Sequence, residues 1–134
     1  MKSNRAAGNA FERELCELLA AYGFWSHILK QDSAGQPADV IAARNKVAYL
    51  IDCKDCSDKG FDLRRVEENQ ILAMQLWNEC GNGQGWFAIK VPTGEIYMLP
   101  LFMLMALRNS QSSLSFAEIH EYGKTFDVWV KKCK

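Results

Sequence analysis

The chain has 134 residues, 49% of them apolar, with sixteen Lys and Arg balancing sixteen Asp and Glu. This suits one folded domain over 1–134 with its own core, and no apolar run nears the ~20 residues that span a bilayer. Zero formal charge is not the strong positive balance of many nucleic-acid binders, which weakens that reading without excluding it: acidic metal ligands offset basic residues and a bound cation restores positive charge locally.

Residues 1–8 read as a flexible basic tail without the apolar core of a secretory signal, which points to the cytoplasm. From Asn9 to Tyr22, Phe11, Leu15, Leu18, Leu19 and Tyr22 recur at helical spacing, with Asn9 as N-cap and Gly23 as stop. Phe24–Leu29 reads as a strand and Gln31–Pro37 as a polar turn. Ala38–Ala43 is a short apolar strand interrupted by Asp39; Arg44, Asn45 and Lys46 make a tight connection to the strand Val47–Cys53.

After the polar loop Asp55–Asp62, residues Leu63–Cys80 read as one long helix with Val66, Gln70, Ala73 and Trp77 along one stripe. The glycines of 81–85 end it. Trp86–Val91 and Glu95–Leu99 form a hairpin about Pro92, Thr93 and Gly94. Pro100 suits a helix start for Leu101–Leu107, Phe116–Tyr122 is a further short helix, and Phe126–Val130 reads as a terminal strand. The core order is α-β-β-β-α-β-β. This predicts an α/β fold with a central mixed sheet flanked by helices. The apolar residues of 99–107 suit either a dimer face or the monomer's core.

Chemistry concentrates at one place. Asp52 and Lys54 alternate with Cys53 at the end of the most apolar strand, so they share a face, and a hairpin brings Asp39 beside them. Burying two carboxylates and an ammonium is costly unless they bind something, and a divalent cation relieves the repulsion between acids. Hard oxygen ligands of this kind suit Mg²⁺ or Mn²⁺, and phosphodiester hydrolysis needs what such a site offers: an activated water and neutralised phosphate charge, with a lysine nearby. The alternative for Asp52 and Lys54 is an exposed ion pair; for Asp39, a turn-supporting residue. Glu12 stands three residues after Asn9, the spacing of a capping box. Five scattered cysteines form no disulfide framework, and Cys53-x-x-Cys56 lacks the second ligand pair of a zinc site.

Gln36-Pro37-Ala38-Asp39 followed by Asp52-Cys53-Lys54 resembles the PD-(D/E)xK nuclease motif. Gly8-Asn9-Ala10-Phe11-Glu12-Arg13-Glu14-Leu15 is similar to the first helix of archaeal-type Holliday junction resolvases. Phe61-Asp62-Leu63 through Gln70-Ile71, Gly85–Ile89 and Tyr97–Pro100 resemble the bacterial RecU-type resolvases. Together these cover roughly residues 5 to 105. The resemblance implies a restriction-endonuclease-like nuclease that cuts four-way DNA junctions as a homodimer. It implies one or two Mg²⁺ or Mn²⁺ ions held by Glu12, Asp39, Asp52 and the Cys53 carbonyl. Lys54 would then act on the attacking water or the transition state, with Gln70 near the site and Ser33 in the loop before Asp39. Both resolvase groups usually carry glutamate where this chain has Asp52, and no counterpart of the RecU stalk is visible. Lys2, Arg5, Lys30, Arg44, Lys46, Lys59, Arg64 and Arg65 are candidate phosphate contacts. Two other readings use the same residues: a restriction-type, nicking or repair nuclease, and a non-catalytic DNA-binding module on the same fold.

Overall fold

A computed structural model describes the backbone of residues 4–29, 38–56 and 58–133, and their side chains from residue 10 onward. In chain order the elements are α1 (Asn4–Ala21), β1 (Trp25–Ile28), β2 (Val40–Arg44), β3 (Val47–Asp55), β4 (Phe61–Asp62), a 3₁₀ turn (Leu63–Arg65), α2 (Glu68–Glu79), β5 (Trp86–Lys90), β6 (Ile96–Pro100), α3 (Leu101–Arg108), β7 (Ser113–Leu114), α4 (Phe116–Tyr122), β8 (Lys124–Thr125) and α5 (Phe126–Lys132). Six strands form one mixed sheet in the order β1-β2-β3-β5-β6-β8. Only β3 and β5 run parallel, joined by the crossover through α2; the other neighbours are antiparallel.

Alternation along the strands splits the core in two. On one face Val40, Ala42, Ile51, Ala88, Ile96 and Met98 pack against Phe11, Leu15 and Leu19 of α1 and Phe126, Trp129 and Val130 of α5. On the other, Leu50, Phe87, Ile89, Tyr97 and Leu99 meet Ile71 and Met74 of α2, Leu101 and Leu104 of α3, and Ile119 of α4. The sheet is therefore the middle of three layers, as predicted.

Helix α1 ends in a Schellman arrangement. Gly23 has φ +84°, its N–H donates to Ala20, and the Phe24 N–H donates back to Leu19. The β2–β3 turn takes two residues, Asn45 and Lys46, both with positive φ (53° and 70°). Those are the backbone angles of a type I′ hairpin, whose twist matches the strands it joins.

Three expectations need correction. Helix α1 begins at Asn4, so residues 4–8 are helical rather than tail and Asn9 lies inside the helix, not at its cap. Ala6 and Ala7 are strong helix formers, and nothing between Asn4 and Asn9 stops the helix. The span 63–80 is not one helix: a 3₁₀ turn closes at Val66, and α2 starts afresh after Glu67, whose backbone is extended. The C-terminal segment is a helix. Thr125 accepts the Val128 N–H as N-cap, and Phe126, Trp129 and Val130 supply a buried face at helical spacing. The alternation Phe126, Val128, Val130 mimics a strand, but Val128 is exposed. Of the apolar run 99–107, Leu99, Leu101 and Leu104 belong to the monomer's core.

Trp129 is 2% exposed and touches the rings of Phe24, Tyr49, Trp86 and Phe126. Replacing it with Ala should cost about 3–5 kcal/mol, read as a lowered midpoint in denaturant unfolding. A cost below about 1 kcal/mol would mean that α5 is not part of the cooperative core.

Candidate active site

The register of the hairpin puts the acids together. Val40 pairs with Ile51 and Ile41 with Leu50, so the next step outward sets Asp39 opposite Asp52. The Asp39 N–H donates to the Ile51 carbonyl at 3.1 Å, which extends the ladder to that point. Asp39 reaches across its neighbour strand: its Oδ2 accepts the Cys53 N–H at 2.7 Å.

Asp52 is 1% exposed. Its Oδ1 accepts the Gln70 side-chain amide at 3.1 Å, and its Oδ2 lies 3.0 Å from the Lys54 ammonium. That oxygen is fully buried and receives no well-aligned hydrogen bond from the described residues. The lysine supplies charge without saturating it. Burial, and then the nearby Asp39 charge, push the Asp52 carboxyl well above its ordinary range, against the pull of Lys54. Lys54 shares its face of β3 with Asp52, as alternation requires, while Cys53 points to the α1 side, where burial pushes its thiol up.

Glu12 comes from the opposite layer. It sits one residue past the buried Phe11 of α1, half-buried, with its carboxyl against Asp39. Burial and then Asp39 raise it from 4.5 to about 7. With Asn9 inside the helix, the capping-box alternative for Glu12 is gone. The neighbouring Glu14 is engaged elsewhere, 2.6 Å from Lys90 of β5, whose ammonium also lies over the Phe11 ring. The sequence reading overlooked Lys90, and its only signal was a charge closing an apolar strand.

Gln70 stands on the third layer, in the first turn of α2. Its amide nitrogen serves Asp52, and its amide oxygen accepts the Glu67 N–H at 3.2 Å. The break at 66–67 gives α2 its own N-terminus beside the sheet, which a single helix over 63–80 would not have had.

Thus Glu12, Asp39, Asp52, Lys54 and Gln70 converge from α1, the sheet and α2. Ser33 lies outside the described residues. Among those residues the acids meet pairwise about Asp39 and do not form a ready-made cage of three ligands. The donor set nonetheless suits a hard cation: crowded carboxylates, one with a buried oxygen short of hydrogen bonds.

Cys53 and Cys56 pack into opposite core clusters and do not face each other as a redox pair. Arg44 is a structural residue: it donates to the carbonyls of Tyr22, Val130 and Cys133 and stacks over Phe24. Arg64 is paired with Asp62 at 2.7 Å. Arg65 donates to the Asp55 carbonyl at the end of β3 and, with Lys59, Ser112 and Ser113, lines a groove of about 420 Å³. Lys2 and Lys30, and the side chain of Arg5, lie outside the described residues.

With metal chelated, the Glu12 carboxyl makes stability depend on pH. The folded state holds this proton more tightly than the unfolded chain, which titrates near 4.5. Stability should therefore be greatest below that pH and fall as pH rises to about 7. Glu12→Gln should flatten this part of a denaturation-midpoint profile. An unchanged slope in the variant would place the effect elsewhere.

The family described as archaeal Holliday junction resolvase (hjc) matches residues 3–121. The crossover junction endodeoxyribonuclease Hjc of Methanocaldococcus jannaschii is 27% identical over 104 residues, 78% of this chain and 73% of that relative. The solved structure of Archaeoglobus fulgidus Hjc, a Holliday junction resolvase from an archaeal hyperthermophile, superposes with a TM-score of 0.70 at 16% identity, over 92% of this chain and 99% of that one. A bacterial homing endonuclease superposes with a TM-score of 0.62 at 13% identity, over 98% and 94%. The two superpositions establish a restriction-endonuclease-like fold, and the family match over most of the sequence goes further: this chain belongs to the archaeal Holliday junction resolvase family.

Proposed function

We propose that this chain is an endodeoxyribonuclease that resolves four-way DNA junctions, using Mg²⁺ or Mn²⁺ held by Glu12, Asp39, Asp52 and the Cys53 carbonyl. The observation that carries the reading is the buried Asp39–Asp52 pair with Lys54 and Gln70 about it, inside a chain of this family. Burying carboxylates side by side is costly, and a cation offsets that cost. A bound divalent ion would supply charge neutralisation at the scissile phosphate and a more acidic water.

The chain's own groups would do the rest. Lys54, anchored at 3.0 Å from Asp52, would orient the attacking water or meet the charge that develops on the phosphate oxygens. Gln70 would hold Asp52 in one rotamer through Oδ1. Glu12 would release its proton on binding the ion, because a cation favours the charged carboxylate. The resemblance adds Ser33, which lies outside the described residues, to the groups that would act there.

The whole of 1–134 would be a single nuclease domain working in the cytoplasm, where the free cysteines of the described residues stay reduced. No helix among those residues is long and apolar enough to cross a membrane. Two coordinated nicks call for a two-fold dimer. Helices α2 and α3 adjoin at Gln75 and Met105, and they leave Leu72, Leu76 and Phe102 more than half exposed. That apolar face suits a second copy.

Incubation with labelled four-way junctions and matched linear duplexes should give paired nicks on the junction alone, with Mg²⁺ or Mn²⁺ and not with chelator. Lys54→Ala should lower the rate by about 10²–10³-fold. Equal cutting of the linear duplex would leave a nuclease of another specificity, and tight binding without cutting would leave a non-catalytic module. In sedimentation, Phe102→Glu combined with Leu76→Glu should turn a dimer into a monomer and uncouple the two nicks. A dimer that survives both changes would place the interface elsewhere.

A further inference from the structure

Strand β1 is one edge of the sheet, and its side chains alternate between the two layers. Ile28 packs into the α1-side core, and Ser26 meets Cys16 of α1. Trp25 and His27 therefore point to the opposite face, the one that carries Asp52 and Lys54. There they lie ring on ring, with centroids 6.1 Å apart and planes 8° from parallel. Trp25 is 62% exposed, the highest value among the large hydrophobic side chains of the described residues.

The strand register places this pair relative to the acids. Leu29, whose N–H donates to the Asp39 carbonyl at 2.8 Å, continues the row that holds Asp39 and Asp52. His27 pairs with Ile41, which pairs with Leu50, one same-face step back. Trp25 pairs with Ala43, which pairs with Ala48, one step further. Each such step is roughly 7 Å along the strands. The aromatic pair thus stands roughly 7 and 13 Å from the acid row, on its face of the sheet. With one or two strand spacings of about 4.8 Å across the sheet added, the pair lies roughly 9–16 Å from the acids, about two to five nucleotides at about 3.4 Å each. Its sheet neighbours are small or aliphatic: Ile41, Ala43 and Ala48 leave a low shelf from which the rings project.

We propose that the Trp25–His27 stack is a base-stacking platform that receives an unpaired or unstacked base of the DNA held at the active site. An exposed indole beside an imidazole offers a π-face to any base and reads no sequence, which suits a substrate recognised by its branch point. A four-way junction opens its base stack at the crossover, so a platform a few nucleotides from the cut can favour the branch over intact duplex. This inference rests on the nuclease reading for its substrate.

The test uses the full-length protein carrying Asp52→Asn, so that DNA is bound and not cut. Junctions with 2-aminopurine two to five nucleotides from the mapped nick report stacking by a change in fluorescence. Trp25→Ala should abolish that change, weaken junction binding about tenfold, and leave the slope of binding against salt unaltered, because no phosphate contact is lost. Trp25→Phe should restore most of both. The side chain is exposed, so thermal unfolding of Trp25→Ala should match its parent. Unchanged junction affinity in Trp25→Ala overturns the platform. So does a dimer that dissociates on that substitution, which would make the shelf a contact between copies. If the parent protein binds junction and linear duplex equally, the resolvase reading fails. The platform then stands or falls on whether Trp25→Ala weakens binding to duplex with a 2-aminopurine mismatch.

Discussion

Asp52 faces Asp39 across the β2–β3 ladder, with a lysine on one oxygen and a glutamine on the other. Two carboxylates so close, one of them 1% exposed, disfavour the folded state unless protons or a cation neutralise them. The surrounding architecture tolerates this load by apolar packing on both sides of the sheet. The acids themselves sit at the end of the β2–β3 ladder, with Asp39 8% and Asp52 1% exposed. This is the familiar opposition between stability and function: an unfavourable arrangement is kept where the chemistry is proposed.

Much of this was legible in the sequence because period-two alternation settles which strand residues share a face. That rule alone put Asp52 and Lys54 together and Cys53 on the other side. The tight Asn45–Lys46 turn then set Asp39 opposite them. Glu12 was not decided by residues alone, since its distance from Asn9 suited a cap equally well. The three-dimensional arrangement removes the cap alternative, because α1 starts five residues earlier, and it pairs Glu14 with Lys90. The C-terminal helix was misread because three alternating apolar residues carry both periods, and only the Thr125 cap and the buried Trp129 choose between them.

The break before α2 was equally hard to see, since no glycine or proline marks it. It arises from Val66 turning into the core while Glu67 extends to begin a new helix. The aromatic pair on β1 escaped notice for a simpler reason. Trp25 and His27 look like ordinary strand residues until the structure shows that α1 packs on the other face of β1 and Trp25 is 62% exposed.

The Gln70 amide has a further consequence. One side chain supplies an acceptor to the first turn of α2 and a donor to a buried carboxylate. A glutamate there could accept but not donate, and a lysine could donate but not accept. The position therefore demands a two-handed group, and the hydrogen-bond polarity runs in one direction from backbone to carboxylate. Losing either hand strands a partner: without the donor the buried Asp52 Oδ1 loses its amide, and without the acceptor the Glu67 N–H that opens α2 loses its oxygen.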